Sequence, residues 1–176
     1  MKSILALFVL LMGAICTRAQ DLDVIISTMP DKRVNDYAKV LSKDAAAKLE
    51  AKLVAFDNKT TTQIAILLVD SLEGRNLDET ANAILNTWGI GQKGKNNGIL
   101  IFAAIKDRKI RIEIGDGLVE AIPNIKAADI IKKDIVPYFK EKKYFTGLNK
   151  ATTSLMKLAI KTFPPKKEAA SKVRSN

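Results

Sequence analysis

A glycine-rich stretch runs Trp88-Gly89-Ile90-Gly91-Gln92-Lys93-Gly94-Lys95-Asn96-Asn97-Gly98 and feeds directly into Ile99-Leu100-Ile101-Phe102-Ala103-Ala104. Gly89 to Gly94 spells GxGxxG, and Gly89 to Lys95 spells GxxxxGK. Both are nucleotide-loop spellings, and both need a strand before the loop and a helix after it, because the phosphate sits on the N–H groups of the helix N-terminus. Here the order is reversed. An amphipathic, helix-like segment precedes the glycines and a wholly apolar, strand-like segment follows them. Asn96 also stands where a Ser or Thr would ligate magnesium. The stretch therefore reads as a helix C-cap and a turn into a core strand, and no nucleotide is expected.

The remaining chemistry is bounded by what the chain lacks. It has no histidine, and its one cysteine is Cys16. That excludes His-based triads, His general bases and disulfide support. A metal would have to be hard and oxygen-liganded, which favours calcium or magnesium. Phosphoryl transfer needs positioned cations and an in-line nucleophile, and no dense acidic motif supplies them; Asp129 and Asp134 lie in a lysine-rich segment. No catalytic or cofactor-binding residue is assigned.

The elements that must position any site follow from periodicity. A helix is expected from the Ser42 N-cap, with Leu49, Leu53 and Phe56 as its inner stripe and 57–62 as the turn out. Gln63 to Val69 is apolar on both faces, as a strand covered by helices on each side must be. Asn76 with Glu79 forms a capping box for a helix carrying Leu77, Ala81, Ile84, Leu85 and Trp88, with Trp88 as a core anchor. Ile99–Ala104 and the alternating Lys109–Ile114 read as an antiparallel hairpin. Asn124 is expected to cap a helix with Ala128, Ile131, Ile135 and Phe139 inward and Lys126, Lys132, Lys133 and Lys140 outward, kinked or ended by Pro137. Residues 142–147 read as a loop and Leu148 to Leu158 as the last helix, stopped by Pro164-Pro165. The sum is an α/β fold: a three-layer α/β/α sandwich with a small mixed sheet of about four strands flanked by helices on both faces.

The N-terminus carries an export signal. Lys2 supplies a positive start, Ile4–Ile15 a short apolar run, and Thr17-Arg18-Ala19 small residues at −3 and −1 before Gln20. Residues 1–19 are therefore read as a signal peptide and the product as periplasmic or secreted. A lipoprotein anchored at Cys16 is the competing reading, disfavoured by Ile15 where a small residue belongs. Residues 20–32 read as an extended leader, 33–162 as the domain and 163–176 as a disordered basic tail. No transmembrane segment is expected after signal cleavage. Losing Lys2 and Arg18 lowers the net charge from +10 to +8, which points to an anionic surface or an envelope partner. The scattered lysines lack interleaved aromatics, so nucleic acid is not expected.

Several pieces in order carry a family resemblance: Val34-Asn35-Asp36-Tyr37-Ala38 with Val40-Leu41-Ser42, Thr62-Gln63-Ile64-Ala65, Ser71-Leu72-Glu73-Gly74, Trp88 to Gly94, Asn97-Gly98-Ile99-Leu100, Asp107-Arg108-Lys109, Gly115-Asp116-Gly117-Leu118 and Tyr144-Phe145-Thr146-Gly147-Leu148. Over about residues 33–160 the chain resembles the TPM domain, a family that includes plant thylakoid-lumen proteins and the bacterial YgcG-like domains. The wording around Trp88 is most similar to Bacteroidetes-type members. The resemblance implies an extracytoplasmic α/β/α domain. Some members resemble calcium binders, plant members are tied to photosystem II repair and credited with acid phosphatase activity, and animal relatives act as receptor-associated proteins. Many bacterial members add a transmembrane or glycine-rich tail.

The chain departs from that pattern where chemistry would sit. Asn96-Asn97-Gly98 replaces Asp-Asn-Gly, Gly115-Asp116-Gly117-Leu118-Val119 replaces Gly-Tyr-Gly-Leu-Glu with Glu120 one place on, and Asn124 replaces the acid after the following proline. The oxygen donors expected to meet at one sheet rim are Asp36, Asn97, Asp116, Glu120 and Asn124. Three acids with two amides suit weak calcium binding at best, since charge count sets affinity. The function expected is a non-catalytic binding or accessory module of the cell envelope; the alternative is a metal-dependent, acid phosphatase-like hydrolase.

Overall fold

The computed structural model describes residues 21–166. The signal peptide, Cys16 and the tail beyond Lys166 lie outside the described residues. Four strands form one mixed sheet in the order β1-β2-β3-β4: β1 Val34–Asp36, β2 Gln63–Val69, β3 Gly98–Ala104 and β4 Lys109–Ile114. The first three are parallel, and β3 and β4 form the expected antiparallel hairpin. Every residue of β3 is buried, as is every residue of β2 after Gln63. Alternate residues therefore feed two separate cores. Ile64, Ile66, Leu68, Ile99 and Ile101 face α2 (Lys43–Thr60), α4 (Asn124–Ile130) and α6 (Tyr144–Ala159). Ala65, Leu67, Leu100 and Phe102 face α1 (Leu22–Ser27) and α3 (Leu77–Thr87). This is the α/β sandwich expected from the two-faced apolar strands.

The caps follow the sequence in part. The Ser42 side chain accepts from the Ala45 N–H, and Asn76 accepts from both Asp78 and Glu79 N–H. Asn124, by contrast, is the first residue of α4, and Pro123 in the cap position makes no side-chain cap bond. The expected turn at 57–62 is displaced as well. Helix α2 runs on through Thr60 and reverses at Thr61, which takes a left-handed φ of 73° and donates its N–H to the Asp57 carbonyl.

Three further differences have local causes. The stretch expected to be an extended leader contains α1, capped by Asp21, with Leu22 and Ile25 buried against α3. Six residues carry too little periodicity to announce a helix, and tertiary burial decides the matter. Between α4 and α5 (Val136–Lys140) lies a π-helical turn, Ile131–Ile135. Pro137 has no N–H to give the carbonyl four residues back, and the wider turn absorbs the missing bond. The extra residue shifts the buried stripe to Ala127, Ile130 and Ile135, leaving Ala128 exposed. Finally, α6 begins at Tyr144, a turn earlier than expected. Gly147 does not break it; a Cβ there would sit 3.2 Å from the Phe139 ring and 3.3 Å from the Ile135 carbonyl, so glycine permits close helix approach.

Lys52 joins α2 to α6. Its ammonium shares three N–H donors among four oxygens at 2.7–2.8 Å, the Asn149 carbonyl and side chain and the hydroxyls of Thr152 and Thr153. Partial burial holds its pKa below the ordinary 10.5. Replacing it by Met should cost about 1.5–3 kcal/mol, the range for hydrogen bonds to a charged group, read as a lower urea midpoint. The glycine loop gives a second test. A Cβ on Gly98 would lie 1.9 Å from the Ile90 carbonyl, while Gly94 has open space and a φ of +79°. Gly94→Ala should therefore cost roughly 1 kcal/mol of backbone strain, and Gly98→Ala about 3 kcal/mol or more, compared by thermal unfolding.

Candidate functional site

The glycine loop is a packed corner. A Cβ on Gly91 would lie 2.7 Å from Gly98 N, one on Gly115 2.3 Å from the Asn96 carbonyl, and one on Gly117 1.9 Å from the Lys95 carbonyl. The loop's own backbone fills the room a phosphate would need. Asn97 is fully buried at its centre, where its Nδ2 donates to the Thr61 carbonyl at 3.0 Å and its Oδ1 accepts from Gln92 N–H at 2.9 Å. The Gln63 side chain accepts from Gly91 N–H at 2.9 Å, and Lys95 Nζ reaches the Thr61 hydroxyl at 3.0 Å. Both functional ends of the Asn97 amide are thus committed to structure.

The five expected donors do not meet. Asp36 ends β1, in register with Leu68, whereas Gly98 pairs with Gln63 at the opposite end of β2. Five residues of strand separate the two rims, about 17 Å at 3.3 Å per residue. Asp36 is occupied there, accepting from Val40 N–H at 3.2 Å and Leu41 N–H at 2.7 Å, so it closes its own turn. Asp116 lies in the 3-10 turn Asp116–Leu118 after β4, on the Asn97 rim, and it, Glu120 and Asn124 are exposed. Among the described residues no three acids gather in a way that could hold a metal ion.

At the carboxyl ends of β2 and β3 the structure places two acids that sequence reasoning had not assigned to the rim, Asp70 and Asp107. Asp107 accepts from Leu72 N–H at 2.6 Å and from the Ser71 hydroxyl at 3.2 Å, and Asp70 pairs with Lys106 at 2.9 Å. Asp70 follows the last residue of β2 directly, and Asp107 lies three residues past the end of β3, in the turn to β4. They pin the two loops together rather than gather into a cluster. Beside this rim, between the end of β3 and α5, opens a groove of about 380 Å³. Its walls include Ala104, Ile110, Val136 and Phe139, with Arg108, Lys140 and Lys142 also lining it and no carboxylate. Phe139 meets Tyr144 edge-on, ring centroids 4.9 Å apart.

The TPM domain model matches residues 34–158, and the chain belongs to that family. Three solved structures share the fold. The N-terminal domain of a P. gingivalis protein is 23% identical with a TM-score of 0.68, covering 82% of this chain and 90% of that one. The BA42 protein of Bizionia argentinensis is 19% identical with a TM-score of 0.59, covering 72% and 86%. The N-terminal domain of a Corynebacterium glutamicum protein is 14% identical with a TM-score of 0.58, covering 73% and 80%. At these identities the likeness concerns the fold alone. No curated protein matches the sequence.

Structural and candidate-ligand roles are separable by mutation. Asn97→Ala leaves the Thr61 carbonyl and Gln92 N–H without their partner in dry surroundings and should cost about 2–3 kcal/mol. Asp116→Asn and Glu120→Gln, both exposed, should each change stability by less than about 0.5 kcal/mol. Urea midpoints of the three variants check this.

Proposed function

We propose that this chain is an exported, non-catalytic binding module that engages an anionic envelope partner through the side formed by α4, the π turn and α5. One observation carries the reading. Lys126, Lys132, Lys140 and Lys142 are exposed there and form no ion pair among the described residues, while Lys133 and Lys143 pair with Asp129 and Glu141. Against these four lysines the same stretch has one acid outside an ion pair, Asp134, so a net positive charge remains to raise the local potential and attract an acidic surface. Export rests on the signal-peptide pattern of residues 1–19. Among the described residues, no helix is long and apolar enough to cross a membrane.

Cross-linking in intact cells tests the partner. Adducts should map to α4–α5 and fall when Lys126 and Lys132 are changed together to Gln. Adducts confined to the α1/α3 side, or indifferent to those changes, would sink the reading. Weak calcium binding belongs to the same proposal at Asp116, which follows β4 on the Asn97 rim, with the exposed Glu120 four residues on. Calcium at roughly millimolar concentration, the weak end of protein calcium sites, should shift their amide NMR signals. Unmoved signals would remove the metal from the proposal.

A further inference from the structure

The groove between β3 and α5 is a different feature from the lysine face, though Lys140 and Lys142 belong to both. Its floor is apolar, supplied by the end of the sheet at Ala104 and Ile110 and by Val136 and Phe139 of α5. Its charged lining is of one sign: Arg108, Lys140 and Lys142, none of which forms an ion pair or side-chain hydrogen bond among the described residues. Arg108 comes from the β3–β4 turn on the sheet wall, and the lysines come from the end of α5 on the helix wall.

Two of these cations sit where backbone geometry favours glycine. Arg108 has a φ of 54° and Lys142 a φ of 57°. Lys142 is the left-handed residue that closes α5, its N–H bonding to the Phe139 carbonyl and that of Lys143 to the Tyr138 carbonyl, an arrangement in which glycine usually takes that place. A non-glycine residue there costs of order 1–3 kcal/mol. Six non-glycine residues among the described ones take a left-handed φ, and two of the six, Arg108 and Lys142, are cations lining this groove.

We infer that this groove binds a compact amphipathic anion, with an aromatic or branched apolar body on the Phe139–Ile110 floor and a carboxylate or phosphate head among Arg108, Lys140 and Lys142. The volume lies at the small end of the range for ligand pockets, which suits a compact body. The absence of a carboxylate from the lining disfavours a cationic or metal ligand. A wholly neutral body would leave the three cations uncompensated. The assignment rests on the binding-module reading; the lining includes no carboxylate, serine, threonine or cysteine, and its hydroxyl is the Tyr144 phenol, which can donate a hydrogen bond to an anionic head.

Three probes of one shape test it: 2-naphthoate, 2-naphthyl phosphate and uncharged 2-naphthalenemethanol, added to the isotope-labelled protein and followed by amide NMR. Both anions should shift residues 105–110 and 136–144 and bind at least about tenfold more tightly than the alcohol, a difference of about 1.4 kcal/mol. Arg108→Asn with Lys142→Asn should abolish that preference without loss of fold, since Asn tolerates the left-handed backbone. Lys140→Gln alone should reduce it. Equal affinity for the alcohol and the anions, shifts mapping elsewhere, or a preference unchanged in the double variant would overturn the assignment. Release of 2-naphthol from the phosphate would instead overturn the non-catalytic reading, while selective binding of 2-naphthoate would still uphold the groove.

Discussion

The structure depends on one demand: β2 and β3 are buried on both faces. A strand of that kind cannot rest on one layer of helices, because its outward side chains would meet water. The chain answers with two cores. Five consecutive apolar residues of β2, Ile64 to Leu68, feed them alternately. The parallel arrangement of β1, β2 and β3 then requires crossovers, and α2 and α3 supply them. The edge strands mix polar and apolar residues: β1 is Val34-Asn35-Asp36, and β4 alternates along Lys109–Ile114. In β4 Arg111 bridges Glu113 and Asp78, so the half-buried face of that strand is joined to α3 by charge instead of by apolar packing.

Much of this was legible in the residues. The two-faced strands, the Ser42 and Asn76 caps and the hairpin are local signals, and each has a local physical cause. What the sequence concealed was settled by tertiary contacts. Helix α1 is too short to declare itself and exists because Leu22 and Ile25 find a core. The π turn could not be inferred from an α-period stripe, because the stripe changes phase within it. Gly147 reads as a helix breaker until Phe139 is placed against it.

The site was less legible than the fold, and topology explains why. Proximity along the sequence motifs suggested one rim, but Asp36 leaves the sheet at the end where β3 finishes, and Asn97 enters where β3 begins. The amide of Asn97 ties the glycine loop to the turn after α2, a task for which a neutral side chain with both a donor and an acceptor is suited. A carboxylate at that point would face the Thr61 carbonyl with no proton to offer. The cationic groove was invisible for another reason. Arg108 and Lys142 are 34 positions apart, and neither lies in a pattern that sequence periodicity detects.

Helix α1 lies outside residues 34–158, the span that defines the family. Yet Trp88, inside that span, donates its indole N–H to the Ile25 carbonyl at 3.1 Å. Leu22 and Ile25 belong to the same core as Phe102. The boundary drawn by family likeness is therefore not the boundary of the folding unit. A fragment trimmed to the former would begin life with a wet indole, an uncovered apolar face and a ready surface for self-association.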